Sequence, residues 1–414
     1  MEFLAKLKFS KKMMKKNKAF LVKKAKINNK PPFFKQNFFS SLNYWSLFLL
    51  ILFLPSQLGK HFFFPQSFVY GLRVDYLAPT VYFFDILSFI VFYLNFRYLL
   101  KIFIQKKIIF LLLLLIINSV FSLFPLISLV KILRILQWWG IFLIIKKNLT
   151  LEKKQRQKIK SLITSALILG TMFEFILALG QFINKKSLGG IFWFFGERSF
   201  SLFTPAIAKV NLFGYEALRS YGTFSHPNSL AGFYLLVYFY YLTTDDQKGY
   251  HWQRFFLLPI SSFLILLSFS KLALTLWFLG SLFYFYKHLS CRLCFFARLL
   301  TFITVFLVFI FPSTDHSSFQ NRFLLLKEGK EILQIKWLQG VGLGAYVKGK
   351  ELIKPLTLPY YLTTQPVHNI FFLTITEMGL VVFSIFFLLF LKLIKKLWQK
   401  NRVVVLVFLI TSFF

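Results

Sequence analysis

Three cations in separate parts of the sequence have the chemistry needed to hold a diphosphate. Arg219 and Arg322 lie in two long polar connections, and Lys271 follows Ser270 between two apolar blocks. A guanidinium group can bind two phosphate oxygens at once, whereas an ammonium group acts as a point charge. Together they suit a diphosphate site at one membrane face. The alternative for each residue is an isolated charge whose side chain reaches toward water.

Two histidines stand where an apolar block begins. His226 lies in the run R-S-Y-G-T-F-S-H-P-N, which Arg219 opens, and His368 precedes another block. A neutral imidazole beside a bound phosphate can accept a proton from a sugar hydroxyl, and we assign this catalytic role to His368. His226 suits either the site or a capping turn at a helix start. The possible supporting residues are Tyr221, His226, Asn228, Asn369 and Glu377.

A metal centre is the competing interpretation of the histidines. His226, His316 and His368 could converge, but no H-E-x-x-H or Asp-x-Asp pattern supplies further ligands. The C-x-x-C pair Cys291 and Cys294 has no second pair or histidine cluster that would complete a zinc site. We therefore expect no metal and no cofactor.

The elements that position these residues must be membrane helices. Hydrophobic residues make up 57% of the chain, 59 residues are Phe and the mean hydropathy is +0.65, which excludes an ordinary soluble domain. The net charge of +36 comes mainly from Lys and Arg in short connections, where basic residues set membrane orientation. We therefore expect membrane lipids, and no nucleic acid, as partners.

The apolar blocks predict an all-α, polytopic transmembrane helical bundle of about ten or eleven spans. The predicted spans are 43–58, 76–96, 108–124, 125–145, 161–183, 226–243, 255–270, 272–289, 299–312 and 369–391, with another beginning at 403. If the basic N-terminus is cytoplasmic, the Lys/Arg-rich connections 97–107, 146–160, 287–298 and 392–402 are all cytoplasmic too. The long connections 184–225 and 313–368 then lie outside, and they are the only stretches long enough to build a site.

Four regions follow from this topology: a basic cytoplasmic arm (1–42), N-terminal transmembrane helices (43–183), the region with both outer loops (184–391), and a basic connection with an incomplete last span (392–414). The final apolar run is too short to cross a bilayer, so we expect the chain to continue. Charged residues inside the spans are predicted to form internal ion pairs or, second, to line a substrate groove. They are Asp85, Arg134, Glu174 and Glu377.

A set of short motifs resembles the O-antigen ligase and O-antigen polymerase superfamily of bacterial membrane proteins. The motifs are R-x-Y-G-T-F-x-H-P-N at Arg219–Asn228, Ser270-Lys271 where the family commonly has Ser-Arg, Arg322, G-V-G-x-G-x-Y at Gly340–Tyr346, and His368-Asn369 followed by E-x-G-L at Glu377–Leu380. In order and spacing they extend over about half of the chain. The N-terminal half is similar mainly in hydropathy.

The resemblance implies a fold of the lipid-sugar-dependent (GT-C type) glycosyltransferases and a metal-independent, inverting transfer on the outer face of the cytoplasmic (inner) membrane of a bacterium. The donor would be an undecaprenyl-diphosphate-linked glycan, and the acceptor a lipid, glycan or protein. By the same resemblance, Arg219 and Arg322 would hold the diphosphate and His368 would help to activate the acceptor hydroxyl. Lys271 departs from the usual Arg of the family.

Three functions are compatible with these features. A ligase would transfer a finished glycan to an acceptor, and this is the function we favour. A polymerase would join repeat units on the same carrier and would need the same diphosphate site, so the sequence separates the two poorly. A small-solute transporter would need polar residues along its spans, whereas the motif residues here gather at one face.

Overall fold

The computed structural model describes residues 33–205, 207–212, 214–243, 251–288, 292–310, 317–353 and 364–413. Most of these residues are helical. The helices are α1 (Phe33–Leu52), α2 (Phe83–Leu94), α3 (Phe96–Phe103), α4 (Lys106–Val120), α5 (Pro125–Leu149), α6 (Lys153–Asn184), α7 (Pro227–Thr243), α8 (His251–Leu267), α9 (Lys271–His288), α10 (Arg292–Ile310), α11 (Ser317–Ile335), α12 (Ile370–Trp398) and α13 (Arg402–Phe413). Short helical segments are Pro65–Ser67, Asp75–Leu77, Gly190–Phe195, Tyr346–Gly349 and Lys350–Leu352. Most of the predicted basic arm, and also Cys291 and His316, lie outside the described residues.

Membrane-spanning capacity is clear for a subset of these helices. Within the described ranges, α5, α6 and α12 are long and apolar enough to cross a membrane, and α2 with α3 makes a fourth candidate whose two parts are bent by 85°. Several other helices coincide with predicted apolar blocks but are shorter, such as α7 with 17 residues. Length and composition thus support three or four spans, and the full count of ten or eleven stays a prediction.

The prediction for residues 76–96 was wrong in its first third, because the helix begins only at Phe83. Residues 59–82 instead form two antiparallel strand pairs. The strands are β1 (Gly59–His61), β2 (Phe68–Val69), β3 (Leu72–Arg73) and β4 (Thr80–Tyr82), with Gly59 opposite Tyr82 and Phe68 opposite Arg73. The Thr-Val-Tyr run of β4 is apolar enough to count toward a span but favours a strand. The two long loops are therefore not the only structured connections.

The four charged residues of the predicted spans are stabilised in two different ways. Asp85 and Arg134 form the predicted ion pair, in which Nη2 of Arg134 lies 2.9 Å from Oδ2 of Asp85. Nε2 of Gln137 donates a second hydrogen bond of 2.8 Å to the same carboxylate. For Glu174 and Glu377 the ion-pair prediction was wrong, since neither forms one with another described residue. Both carboxylates accept hydrogen bonds from loops instead.

Small residues allow helices to pack closely. In lipid, where the hydrophobic effect does not drive helices together, their association depends on such close contacts. Gly140 of α5 faces Phe92 of α2, and a Cβ at Gly140 would lie 2.8 Å from Cζ of that ring. Gly280 of α9 faces the ring of Phe239 of α7 in the same way. The largest buried cluster joins α7, α8 and α9.

Helix α12 is broken at Gly379, whose φ and ψ are 72° and 167°. The turn at Gly340–Gly344 covers the break: Val341 N donates to Thr376 O at 3.0 Å, and Gly342 N to Glu377 O at 2.9 Å. Backbone groups at membrane depth need such partners inside the protein. The motifs G-V-G-x-G-x-Y and E-x-G-L therefore form one packing unit.

A third antiparallel strand pair, the hairpin of β5 (Lys209–Leu212) and β6 (Tyr215–Leu218), lies in the first long loop, with Lys209 opposite Leu218. This hairpin leads directly into the motif that Arg219 opens.

Candidate functional site

The side chain of Arg219 is held by hydrogen bonds on two of its nitrogens. Nε donates to the carbonyl of Ser268 at 2.7 Å, and Nη2 donates to Oδ1 of Asn228 at 2.6 Å. Ser268 follows the last residue of α8, where helix carbonyls have no partner within the helix. Among the described residues Nη1 has no hydrogen-bond partner, so the guanidinium keeps donor capacity for a ligand.

One face of α6 fixes the motif loop Ser220–Thr223. Ala178 O accepts from Oγ of Ser220 at 2.8 Å, and Gln181 Oε1 accepts from the backbone N–H groups of Tyr221 and Gly222 at 3.1 and 2.9 Å. Glu174 accepts from the backbone and the hydroxyl of Thr223. Residues 174, 178 and 181 share a helix face because they are four and three positions apart.

Gly222 is required within this loop for two reasons. Its φ is +58°, in the left-handed region that disfavours other residues. A Cβ at this position would also lie 2.9 Å from Cδ1 of Leu230 and would overlap the carboxylate of Glu174. The loop can therefore approach α6 closely only with glycine here.

His226 has the capping geometry that its position suggested, since Nδ1 accepts a hydrogen bond of 3.1 Å from the backbone N–H of Asn228 in the first turn of α7. The ring of Tyr221 lies 6.0 Å away, edge on, and its hydroxyl accepts from Ala208 N at 2.9 Å. An imidazole whose Nδ1 is an acceptor carries its proton on Nε2 when neutral. His226 can therefore cap α7 and still offer an N–H donor.

Four residues from the two long loops come close enough to influence one another electrostatically. Burial lowers the pKa of Arg219 to about 10, and the charge of Arg322 on α11 contributes to the shift. Desolvation by the surrounding protein lowers the pKa of His368, and the charge of Arg322 lowers it further. Desolvation also lowers the pKa of His226, with smaller contributions from the charges of Arg219 and His368. Both imidazoles nevertheless reach solvent. We call Arg219, His226, Arg322 and His368 the cation cluster.

The cation cluster lacks a nearby countercharge within the described part of the chain, where no carboxylate contributes to the pKa shifts of its four members. Arg322 forms no ion pair with a described residue. Positive groups arranged in this way attract an anion and suppress their own protonation until one binds.

Arg198 belongs to the same neighbourhood and was missed by sequence reasoning. Its Nη1 donates to Ser225 O at 3.3 Å, and its charge contributes to the lowered pKa of His226. One signal could have identified it: like Arg219 and Arg322, it is a basic residue on the predicted outer side, where basic residues are disfavoured.

Three further predicted site residues, Lys271, Asn369 and Glu377, form no hydrogen bond or ion pair with the cluster among the described residues. Lys271 begins α9 with an exposed side chain that has no hydrogen bond or ion pair to a described residue, so the structure does not join it to the arginines. Asn369 caps α12, accepting from Phe372 N at 2.9 Å. The buried Glu377 accepts from the backbone of Gly344 and Tyr346, which gives it a role in packing the glycine turn.

No three His, Cys, Asp or Glu side chains of the described ranges are placed to hold a metal ion. Comparisons of the chain with protein-family models, curated proteins and solved structures found no match. The resemblance to the O-antigen ligase and polymerase superfamily therefore stays a prediction from the motifs.

Proposed function

We propose that this chain is a membrane glycan transferase of the O-antigen ligase type, which moves a glycan from an undecaprenyl-diphosphate carrier to an acceptor on the outer face of the cytoplasmic membrane. The observation that carries the proposal is the convergence of Arg219, Arg322, His226 and His368 from both long loops. Two arginines that have no carboxylate partner among the described residues suit a ligand with more than one negative charge.

The proposed reaction is an inverting displacement at the anomeric carbon of the glycan. The acceptor hydroxyl oxygen attacks from the face opposite the carrier, its proton passes to His368, and the bond from carbon to diphosphate oxygen breaks. The diphosphate leaves with the bonding electron pair, and the cations stabilise the negative charge that develops on it.

Each member of the cluster has a distinct part in this scheme. Arg219 is oriented by Ser268 and Asn228, so its guanidinium is pre-organised for the diphosphate. His368 has a lowered pKa, which keeps its imidazole neutral and able to accept a proton. His226 presents Nε2–H as a further donor to phosphate oxygen, because its Nδ1 is occupied by Asn228.

The proposed location is the cytoplasmic membrane of a bacterium, with the N-terminus inside and ten or eleven spans. Three long apolar helices, or four with the bent pair, support this location. The basic connections support the orientation. Arg219, His226 and His368 precede helices and Arg322 lies near the start of α11, so the four residues do not follow one another through a span. This arrangement favours transfer at a membrane face over solute transport.

A host lacking the gene, complemented with variants of the chain, tests the proposal. We expect Arg219→Ala, Arg322→Ala and His368→Ala to abolish acceptor-linked glycan, while Arg73→Ala, an exposed arginine in the β2–β3 hairpin, retains it. Loss of a ligase leaves long glycan on the carrier, whereas loss of a polymerase, the alternative function, leaves single repeat units. Glycan transfer that survives all three cluster substitutions contradicts the proposed site.

A further inference from the structure

The first long loop contains an apolar segment that is unlike the rest of it. Residues Gly190–Phe195, Gly-Ile-Phe-Trp-Phe-Phe, form a short helix without a charged side chain. The side chains of Ile191, Trp193 and Phe194 are 67%, 54% and 65% exposed. An outer loop surrounded by water would not be expected to present three adjacent large apolar groups.

The segment folds back along α6 instead of projecting beyond it. The rings of Phe192 and Phe195 pack on Phe173 of α6, with centroids 6.1 and 5.2 Å apart. Phe173 precedes the last residue of α6, Asn184, by eleven positions, which corresponds to about 16 Å along the helix axis. Residues Gly190–Phe195 therefore lie beside the apolar part of a helix that can span the membrane.

Specific contacts fix the segment in this position. Oγ of Ser56 donates to Phe195 O at 2.8 Å, and the carboxylate of Glu197 accepts from Leu188 N and Gly189 N at 2.8 and 2.7 Å. Gly196 has a φ of 100°, and a Cβ there would lie 2.7 Å from Gln57 N. The fold-back is thus built into the packing of the loop.

The backbone of the segment is also suited to an apolar environment. Phe192 N donates to Gly189 O at 3.1 Å, Gly196 N to Trp193 O at 3.0 Å, and Glu197 N to Phe192 O at 3.2 Å. Non-helical backbone near lipid needs such internal partners. The exposed basic residues Lys185, Lys186 and Arg198 flank the segment in sequence, where lipid phosphate groups would meet them.

A cavity of about 230 Å³ lies between the segment and helices α1 and α6. Its walls are mostly apolar, with Leu52, Phe53, Leu169, Phe173 and Phe195 among them. In water, the cavity wall and the outer face of the segment would both expose apolar surface, which is unfavourable in free energy. In contact with lipid, the same surfaces carry no such penalty.

We infer that Gly190–Phe195 is a re-entrant segment embedded in the outer leaflet, with Ile191, Trp193 and Phe194 in contact with lipid. The partner is the bilayer itself, and the inference holds whether or not the chain transfers glycans. It refines the prediction that residues 184–225 lie outside the membrane, since this part returns to the membrane next to the motif loop held by Glu174.

An environment-sensitive fluorophore tests the inference in the full chain reconstituted in nanodiscs. Phe194→Cys is labelled with NBD in a background in which Cys291 and Cys294 are replaced by Ser. Lys186→Cys, placed by the inference at the membrane surface, is the iodide-accessible control, and Ile176→Cys, 59% exposed on α6, is the lipid control. Ile191→Cys gives a second probe if the first variant does not fold.

For the probe at position 194 we expect blue-shifted emission, strong quenching by doxyl-labelled lipid and little quenching by aqueous iodide, as at position 176. The position 186 probe should be quenched by iodide. Iodide quenching at both 191 and 194, with lipid quenching at 176, overturns the inference while leaving α6 in the membrane. Iodide quenching at 176 as well would contradict the spanning helix itself.

Discussion

Nη2 of Arg219 lies 2.6 Å from Oδ1 of Asn228, across the turn that begins α7. The backbone N–H of the same asparagine donates to Nδ1 of His226 at 3.1 Å. One residue thus orients both a guanidinium and an imidazole of the cation cluster. Asn228 therefore acts as a positioning residue in the proposed site, without a charge of its own.

Substitution of Asn228 should affect transfer in a graded way. Asn228→Ala removes a hydrogen bond to a charged group, worth about 1.5–3 kcal/mol, so we expect a loss of about tenfold or more in kcat/KM. Asn228→Asp should be more damaging, because it places a carboxylate in the proposed diphosphate site. Transfer by purified protein in nanodiscs is the measurement, with Ser229→Ala as the neighbouring control. An Asp variant as active as the original chain would contradict the role.

We predict that a lysine at position 219 cannot perform the role of Arg219. A lysine cannot donate to both the Ser268 carbonyl and Asn228 in the planar geometry of a guanidinium. We expect Arg219→Lys to raise KM for the carrier and to lower kcat by at least tenfold, about 1.4 kcal/mol.

Lys271→Ala is the matched control, because it also removes a cation close to the end of α8 and the start of α9. Because the Lys271 side chain forms no hydrogen bond or ion pair with the cluster among the described residues, this change should alter kcat/KM little. Full activity of Arg219→Lys, together with inactive Lys271→Ala, would reverse our assignment of the two cations.

The pH dependence of transfer should report His368. Partial desolvation by the surrounding protein and the charge of Arg322 lower its pKa, so the neutral, proton-accepting form persists to more acidic pH than for a free histidine, whose pKa is about 6.5. We expect kcat/KM to fall only below about pH 6.5, as the imidazole becomes protonated.

The acidic limb should disappear in His368→Gln, whose low residual activity is expected to be independent of pH in this range. His226→Gln serves as the control for the second imidazole and should retain the limb. An acidic limb unchanged in His368→Gln would show that another group is the base.

The break in α12 should be essential for folding. At Gly379 the φ of 72° and the neighbouring carbonyl carbons of Leu338 and Gln339, each 2.5 Å from a Cβ built there, leave no room for alanine. We expect Gly379→Ala to destabilise the protein by more than about 1 kcal/mol.

Gly232 of α7 is the matched control, because a Cβ there meets nothing within 4 Å. Gly232→Ala should leave the thermal unfolding temperature in detergent unchanged or raise it slightly. Equal unfolding temperatures for the two alanine variants would contradict the account of the glycine turn.

Much of the helical pattern could be predicted from sequence, since blocks of apolar residues bounded by lysines leave few alternatives to a helix. The β1–β4 pairing could not be predicted, because the hydropathy of Thr-Val-Tyr does not distinguish a strand from the start of a membrane span. The topology predicted which loops carry Arg219, Arg322 and His368. It could not predict that Glu174 holds Thr223, because the contact joins residues 49 positions apart and depends on how the loop folds back.

The proposed diphosphate site of Arg219 and Arg322 is tested most directly by binding. Undecaprenyl diphosphate and undecaprenyl monophosphate are compared as ligands of the purified chain in nanodiscs. We expect preference for the diphosphate, and a loss of at least about a hundredfold in its affinity in Arg219→Ala/Arg322→Ala, since each arginine supplies charge-assisted hydrogen bonds of about 1.5–3 kcal/mol. The variant Arg73→Ala should bind as the original chain does. Equal affinity of the double variant and the original chain for the diphosphate would contradict the account.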